Sequence, residues 1–329
     1  MISVSRYPGI PLYRKDDKMT KLLYTGSSGF LGRNTLPQLT ELYDVTTLGP
    51  TERDMLRCDL SCETPTLPCR YDIILHAAGK AHVVPKTKEE EQSFFDINFG
   101  GTERLCRALE QSGLPRALIF ISTVAVYGTE RGENLDESQP LLGGTPYAES
   151  KIQAERFLID WCSRHQVTLT ILRPSLLAGF DAPGNLGSMV NGIRRGYYVN
   201  INHGACRRSV FMASDIARLV PLVADKGGIY NVADSRQPSF GELSELIARQ
   251  LGKRPPLSIP LWLAKALARI GDIFGENSPF CTTKLLKMTE SLTFSNRLLC
   301  DTFHFTPTDV LNNYTIFGIP SSRDTVIPK

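Results

Sequence analysis

Tyr147 and Lys151 lie four residues apart in PYAESKIQAERF, a segment whose pattern predicts a helix, so both project from one side. An isolated tyrosine titrates at about 10, and a neighbouring ammonium favours its phenolate and lowers that value. Such a pair can exchange a proton with a hydroxyl while hydride moves to or from a cofactor. Thr123 ends the apolar run 117–123 and would offer a further hydroxyl to the reacting oxygen. A Tyr-x-x-x-Lys spacing alone is ordinary helix surface. It gains meaning only from what stands elsewhere in the chain.

The segment TGSSGFLG (25–32) supplies that context. Gly26, Gly29 and Gly32 follow an apolar run and open an amphipathic one. Glycines at this spacing let backbone N–H groups approach a pyrophosphate, and the helix N-terminus adds its positive end. The order strand, turn, helix is what a dinucleotide loop requires. The next expected feature is an acid at the end of the second strand, for the adenosine ribose. Leu48, Gly49 and Pro50 stand there instead, with Arg53 slightly beyond. An absent acid beside an arginine suits the 2′-phosphate of NADP, the preferred cofactor, with NAD the alternative; a merely solvent-exposed Arg53 is the plainer reading. Asp59 would bind the adenine amine or cap a turn.

These residues need a scaffold. KLLYTG (21–26), DVTTLG (44–49), MLRCDL (55–60), DIILHAAG (72–79), 117–128 and 167–179 read as strands. Residues 30–41, bent near Pro37, together with 94–113 and 147–166, read as helices. Apolar strands alternating with helices predict an α/β fold, a doubly wound parallel sheet covered on both faces. The domain expectation is a flexible extension at 1–18, a dinucleotide-binding domain at 19–180, a smaller mixed α/β substrate-binding region at 181–318 and a tail at 319–329. Within the smaller region, 181–213 reads as loop plus a short helix, and 240–252 as a helix. Residues 259–275 form an amphipathic helix whose apolar stripe suits packing on that region. A membrane-surface or partner helix is the other reading.

The 329 residues carry 37 basic and 34 acidic side chains, a net charge of +3, which is too balanced to imply nucleic acid or a polybasic membrane anchor. With 42% hydrophobic and 22% charged residues the composition is that of a globular protein. No apolar run reaches the roughly 18 residues of a membrane span. The N-terminus has no apolar core of a secretory signal. The eight cysteines form no C-x-x-C pair, so reduced cytoplasmic thiols, and no metal, are expected.

Taken together, TGSSGFLG (25–32), HAAG (76–79), Asn98 with Gly101–Thr102, STVAVYG (122–128), PYAESK (146–151), LRPSLLAG (172–179) and RRSVFMASDIA (207–217) resemble the extended short-chain dehydrogenases/reductases of the NAD-dependent epimerase/dehydratase family. The match runs in order from about residue 20 to about 315. The resemblance implies a Rossmann-type fold and roles residue by residue. Gly26, Gly29, Phe30, Leu31 and Gly32 would touch the pyrophosphate, and Asp59 and Leu60 would flank the adenine. Ala77, Ala78 and Gly79 would line the cofactor groove, and Pro174 would sit by the nicotinamide. Asn98 counts with the cofactor-binding residues, as do Tyr147 and Lys151. Thr123, Tyr147 and Lys151 match the catalytic triad. Asn185 and Arg208 match positions contacting a substrate diphosphate, which Arg208 could grip with two parallel hydrogen bonds. His82 would lie near the sugar or be purely structural.

The family comprises 4-epimerases, 4,6-dehydratases and 4-keto reductases. Dehydratases of the family place Asp-Glu after the catalytic threonine, whereas Val124 and Ala125 stand here. The segments 76–84, 183–196 and 207–209 resemble a bacterial surface-polysaccharide subgroup. That subgroup includes reductases of UDP-4-keto-6-deoxy-N-acetylhexosamines, so a UDP-linked nucleotide sugar is the expected substrate. A UDP-sugar 4-epimerase with tightly held NAD is the alternative. A non-catalytic dinucleotide sensor would have lost the tyrosine or lysine. The family also implies homodimers paired through the helices at 94–112 and 148–165.

Overall fold

The computed structural model describes residues 14–15, 18–81, 83–273 and 281–317. His82, nearly all of the expected extension and all of the tail lie outside them. Seven parallel strands form the central sheet: β1 (Lys21–Thr25), β2 (Asp44–Gly49), β3 (Leu56–Arg57), β4 (Ile73–His76), β5 (Ala117–Ile121), β6 (Thr168–Pro174) and β7 (Gly228–Val232). Their order across the sheet is β3-β2-β1-β4-β5-β6-β7. The chain therefore reverses direction between β1 and β4, whose residues pair from Leu22↔Ile73 to Thr25↔His76. Beyond the carboxyl ends of such a switch point lies the natural ligand crevice of an open α/β sheet.

Strand side chains alternate between faces. Leu22, Tyr24, Ile73, Leu75 and Ile119 face one side, packing with Leu39 of α1 (Phe30–Leu42) and with Ile216, Leu219 and Val220 of α6 (Asp215–Val223). Leu23, Ile74, Leu118 and Phe120 face the other, against Leu105 and Leu109 of α3 (Gly101–Ser112) and Leu158 and Trp161 of α4 (Pro146–His165). The near-continuous apolar runs in the sequence follow from this burial on both faces.

Several elements differ from expectation. Helix α1 runs unbroken through Pro37. The third strand shrinks to two residues at the sheet edge. The helix expected at 94–113 starts earlier, as α2 (Lys88–Phe95) capped by Thr87, and passes through a π-helical turn at Asp96–Gly100 into α3. The wider π turn turns Asn98 inward, a known habit of functional helices. Strand β5 ends at Ile121, and Thr123 caps a 3₁₀ turn at Val124–Tyr127. After Pro174 the chain leaves the sheet, and Leu176–Ala178 pairs with Val210–Met212.

The smaller region carries α5 (Gly184–Arg195), longer than the short helix expected, and α7 (Phe240–Gln250), which opens with a Ser239–Glu242 capping box. Leu186, Met189, Ile193, Leu243 and Ile247 form its core. Helix α8 (Leu261–Asp272) corrects an expectation: Leu261 packs inward, but most of its large apolar residues do not. Ala264, Ala268 and Gly271 are the buried positions, packed near Ile201 and Leu285, because small side chains let the helix sit close. Trp262, Leu267 and Ile270 are exposed. Among the described residues no helix is long and apolar enough to cross a membrane.

Candidate active site

One cleft of about 930 Å³ opens beyond the carboxyl ends of β1, β4, β5 and β6. Its cofactor half begins at the glycine loop. Gly26 has φ of +78°, and a Cβ there would lie 2.6 Å from the Ala78 nitrogen. The loop thus presses on the strand beside it, which only glycine permits. Gly32 does not line the cleft; it lets α1 close onto the backbone of Ser27. The first turn of α1 has no capping side chain and no acid, so its N–H groups stay available to an anion. These features fit the pyrophosphate of a dinucleotide. Gly26→Ala is expected to weaken dinucleotide binding at least about tenfold, since φ > 0 and the close contact both penalise a Cβ. Titration calorimetry would measure it, and unchanged affinity would contradict the assignment.

Phe30, Leu31, Asp59, Leu60, Ala77, Ala78, Gly79 and Pro174 all line this cleft, as expected. Asp59 also accepts the Ser61 N–H in a turn at 2.9 Å, so both roles weighed for it are geometrically open. Arg53 is exposed and outside the cleft-lining residues. Asn98 does not line the cleft either. Its side chain accepts the Lys80 N–H at 2.7 Å and donates to Ser150 Oγ at 2.9 Å, tying the loop after β4 to α4.

Beneath the loop, His76 is buried between two threonines, with Thr25 Oγ1 at 2.7 Å from Nδ1 and Thr102 Oγ1 at 2.9 Å from Nε2. Burial, helped by the nearby Lys151 charge, lowers its pKa to about 3. The unfolded chain therefore takes up a proton below about 6.5 that the native state refuses. Stability should fall by up to about 1.4 kcal/mol per pH unit below that point. Replacing the imidazole in His76→Asn should flatten the slope between about pH 6.5 and 5, as read by denaturant unfolding.

The catalytic half is built by α4 and the end of β5. Thr145 caps α4, with Pro146 at its first position, so Tyr147 and Lys151 lie in the first two turns. Thr123 Oγ1, which accepts the Ala125 N–H at 3.1 Å, stands beside the Tyr147 phenol. Lys151 Nζ donates to the Ile121 carbonyl at 2.7 Å and lies 4.3 Å from the Phe120 ring centroid. All three residues line the cleft. Burial lowers the Lys151 pKa to about 8, while the Glu155 charge opposes the fall. The expected depression of the Tyr147 pKa is not met. Burial raises it, the neighbouring Thr123 hydroxyl offsets this only in part, and the Lys151 ammonium is held by a backbone carbonyl. The phenol accordingly keeps its proton and is poised as a donor.

Arg208 and Asn185 line the far part of the cleft, Asn185 from the first turn of α5 and Arg208 against the Phe240 ring at 5.9 Å. Burial lowers the Arg208 pKa, yet a guanidinium stays charged at any working pH. The carboxylates lining the cleft among the described residues are Asp59 and Glu130, and Val124 and Ala125 line it beside Thr123. Those residues include no cluster of metal-binding side chains.

Two groups escaped the sequence reading. Glu155 is fully buried one turn beyond Lys151. It binds Arg173 through both oxygens, at 3.1 and 2.6 Å, and also accepts the Ser122 hydroxyl. Its i+4 spacing from Lys151 was the available signal. Asp54 is buried against Gly49, where a Cβ would lie 2.6 Å from a carboxylate oxygen. It accepts Ser27 Oγ at 2.8 Å and Thr51 Oγ1 at 2.6 Å. An acid thus does reach the tip of β2, from the following loop rather than the strand, and no spacing rule would find it.

Comparison with known proteins agrees with this geometry. Residues 22–233 match the NAD dependent epimerase/dehydratase family. A 4-epimerase of N-acetyl-α-D-glucosaminyl-diphospho-ditrans,octacis-undecaprenol from Escherichia coli O157:H7 is 27% identical over 246 residues, 72% of this chain and 70% of its own. The GDP-6-deoxy-D-mannose reductase of Pseudomonas aeruginosa is 27% identical over 247 residues, 69% and 79% of the two chains. The solved structure of MoeE5 with UDP-glucose and NAD superimposes with a TM-score of 0.67 at 19% identity, covering 89% of this chain and 95% of that one. With its dinucleotide loop, tyrosine–lysine pair and switch-point cleft, the chain belongs to the NAD-dependent epimerase/dehydratase family and is an NAD(P)-dependent enzyme of the extended short-chain dehydrogenase/reductase type.

Proposed function

We propose that the protein reduces C4 of a UDP-linked 4-keto-6-deoxy-N-acetylhexosamine, with NADPH, in surface-polysaccharide synthesis. The observation that carries this reading is that Tyr147, Thr123 and Lys151 line one cleft with the glycine loop and Arg208. Glycine-loop N–H groups, Ala77 and Pro174 would hold the dinucleotide, which supplies hydride when bound. Tyr147 Oη gives its proton to the C4 oxygen as that oxygen gains charge, and Thr123 holds the same oxygen in place. The raised Tyr147 pKa keeps this proton on the phenol beforehand. Lys151 stabilises the phenolate left behind. Arg208 and Asn185 grip the diphosphate, so binding at the far end of the substrate orients the sugar.

The alternative is a UDP-sugar 4-epimerase with tightly held NAD. Asp54 favours it, because a carboxylate at the tip of β2 repels a 2′-phosphate. Against this, Asp54 is already bound by Ser27 and Thr51. The test is to denature purified protein and identify the released dinucleotide. Protein that emerges empty or with NADP, and then oxidises NADPH with the UDP-4-keto-6-deoxy sugar, supports the reductase. Near-stoichiometric NAD supports the epimerase. Arg53→Ala should raise KM for NADPH but not for NADH if Arg53 meets the 2′-phosphate. Equal changes for both would remove it from the site.

A further inference from the structure

Helix α8 presents an unusual outer face. Trp262 is 70% exposed, Ile270 56% and Ile273 80%, while the helix is anchored inward by alanines and glycine. At 100° per residue Trp262, Ala266, Ile270 and Ile273 fall on one stripe, and Lys265 and Arg269 flank it. Two more exposed apolar residues belong to the strand pair against which α8 packs. Asn200–Ile201 pairs with Ser258–Ile259, and the Asn200 N–H bonds the Leu257 carbonyl at 2.8 Å. By alternation Val199 and Leu257 share the side of Ile201 and Ile259, on which α8 packs. Leu257 is 78% exposed and Val199 38%.

The segments that carry these residues are poor in acids. Residues 182–214 and 246–271 contain no aspartate or glutamate, in a chain with 34 acids overall. Arg194, Arg195, Lys253, Arg254, Lys265 and Arg269 are exposed, and none of them forms an ion pair with another described residue. Asp272, at the end of α8, is bound to the Thr282 N–H and hydroxyl. A helix face of large apolar side chains flanked by Lys265 and Arg269, with Asp272 tied to Thr282, matches an interfacial helix lying on anionic lipid. A protein partner would need acids to meet these cations, whereas a phosphodiester headgroup layer meets them all without specific register.

We propose that the α8 face, with Val199 and Leu257, docks the enzyme on an anionic lipid surface. The inference is independent of which sugar the cleft takes. The test uses the full-length protein with vesicles of phosphatidylcholine and of phosphatidylglycerol. Binding to phosphatidylglycerol should exceed that to phosphatidylcholine by about tenfold or more and should weaken at about 1 M salt, where the screening length is about 3 Å. Emission should shift to the blue on binding. Of the two tryptophans, Trp161 is buried, so the shift reports Trp262. Trp262→Ser with Ile270→Ser, and separately Lys265→Glu with Arg269→Glu, should each abolish binding at unchanged melting temperature. Absence of binding by the parent protein, equal binding to both lipids, or full binding by both variants would overturn the proposal. So would a parent dimer that Trp262→Ser with Ile270→Ser converts to monomer, since a second copy would then cover the face. The salt dependence needs no variant and decides the matter even if a variant misfolds.

Discussion

Tyr147→Phe is expected to lower turnover about 10³-fold while folding and dinucleotide affinity stay unchanged. The substitution deletes one oxygen. The ring keeps its tilted contact with Phe94 at 6.3 Å, so packing of α4 is retained. What disappears is the only phenol among the described residues that line the cleft, and with it the proton that would reach the carbonyl oxygen as hydride arrives. The loss should fall on kcat, because on the proposed reading Arg208 and Asn185 would still bind the diphosphate end. Steady-state kinetics with a matching dinucleotide titration checks both halves. Undiminished turnover would remove Tyr147 from the chemistry and revive the reading of a dinucleotide-binding protein without catalysis.

Glu155→Ala should cost about 3–5 kcal/mol of stability, the largest effect expected outside the cleft. Glu155 and Arg173 are both almost wholly buried, and the carboxylate grips the guanidinium by two hydrogen bonds. Removing it leaves the Arg173 charge in a low-dielectric interior, with Tyr127 Oη at 3.1 Å as its remaining hydrogen-bond partner. Denaturant unfolding measures the loss. Glu155→Leu with Arg173→Met, which removes both charges, should recover most of it. A double variant as unstable as the single would show that shape rather than charge explains the cost.

The same carboxylate sets the pH behaviour of the site. Lys151 titrates at about 8, below an ordinary lysine, so its ammonium is lost as pH rises through that value. Phenolate formation at Tyr147 then loses its nearest cation, and the rate should decline above about pH 8. The Glu155 charge pushes the Lys151 pKa upward. Glu155→Gln, if folded, should therefore move the alkaline limb to lower pH, which a pH–rate profile would show.

Much of this was legible in sequence because it is local. The glycine loop needs backbone angles that only glycine supplies, and Gly26 takes them. Four-residue spacing on a helix puts Tyr147 and Lys151 together wherever the helix lies. Parallel strands buried on both faces reveal themselves as apolar runs, and β1 and β2 were readable almost to the residue, whereas β4 ends three residues earlier than expected. The π turn at Asp96–Gly100 was not readable, since it follows from how α2 and α3 pack rather than from propensity.

Long-range electrostatics and surface exposure were decided by the tertiary structure. Asp54 reaches Gly49 and Ser27 by a loop path that carries no periodic signal. The Tyr147 pKa moves opposite to the expectation from its lysine neighbour, because burial outweighs a cation already bonded to the Ile121 carbonyl. Helix α8 is amphipathic on either reading, but periodicity cannot say which stripe faces inward. Its alanines do, packed with Ile201 and Leu285, and Trp262, Leu267 and Ile270 are left on the surface. The amino-acid order alone thus revealed the family, the loop and the tyrosine–lysine pair, through spacing that acts over one turn. The charges that tune that pair, and the face the enzyme turns outward, depend on residues brought together from far along the chain, where only packing sets the distances.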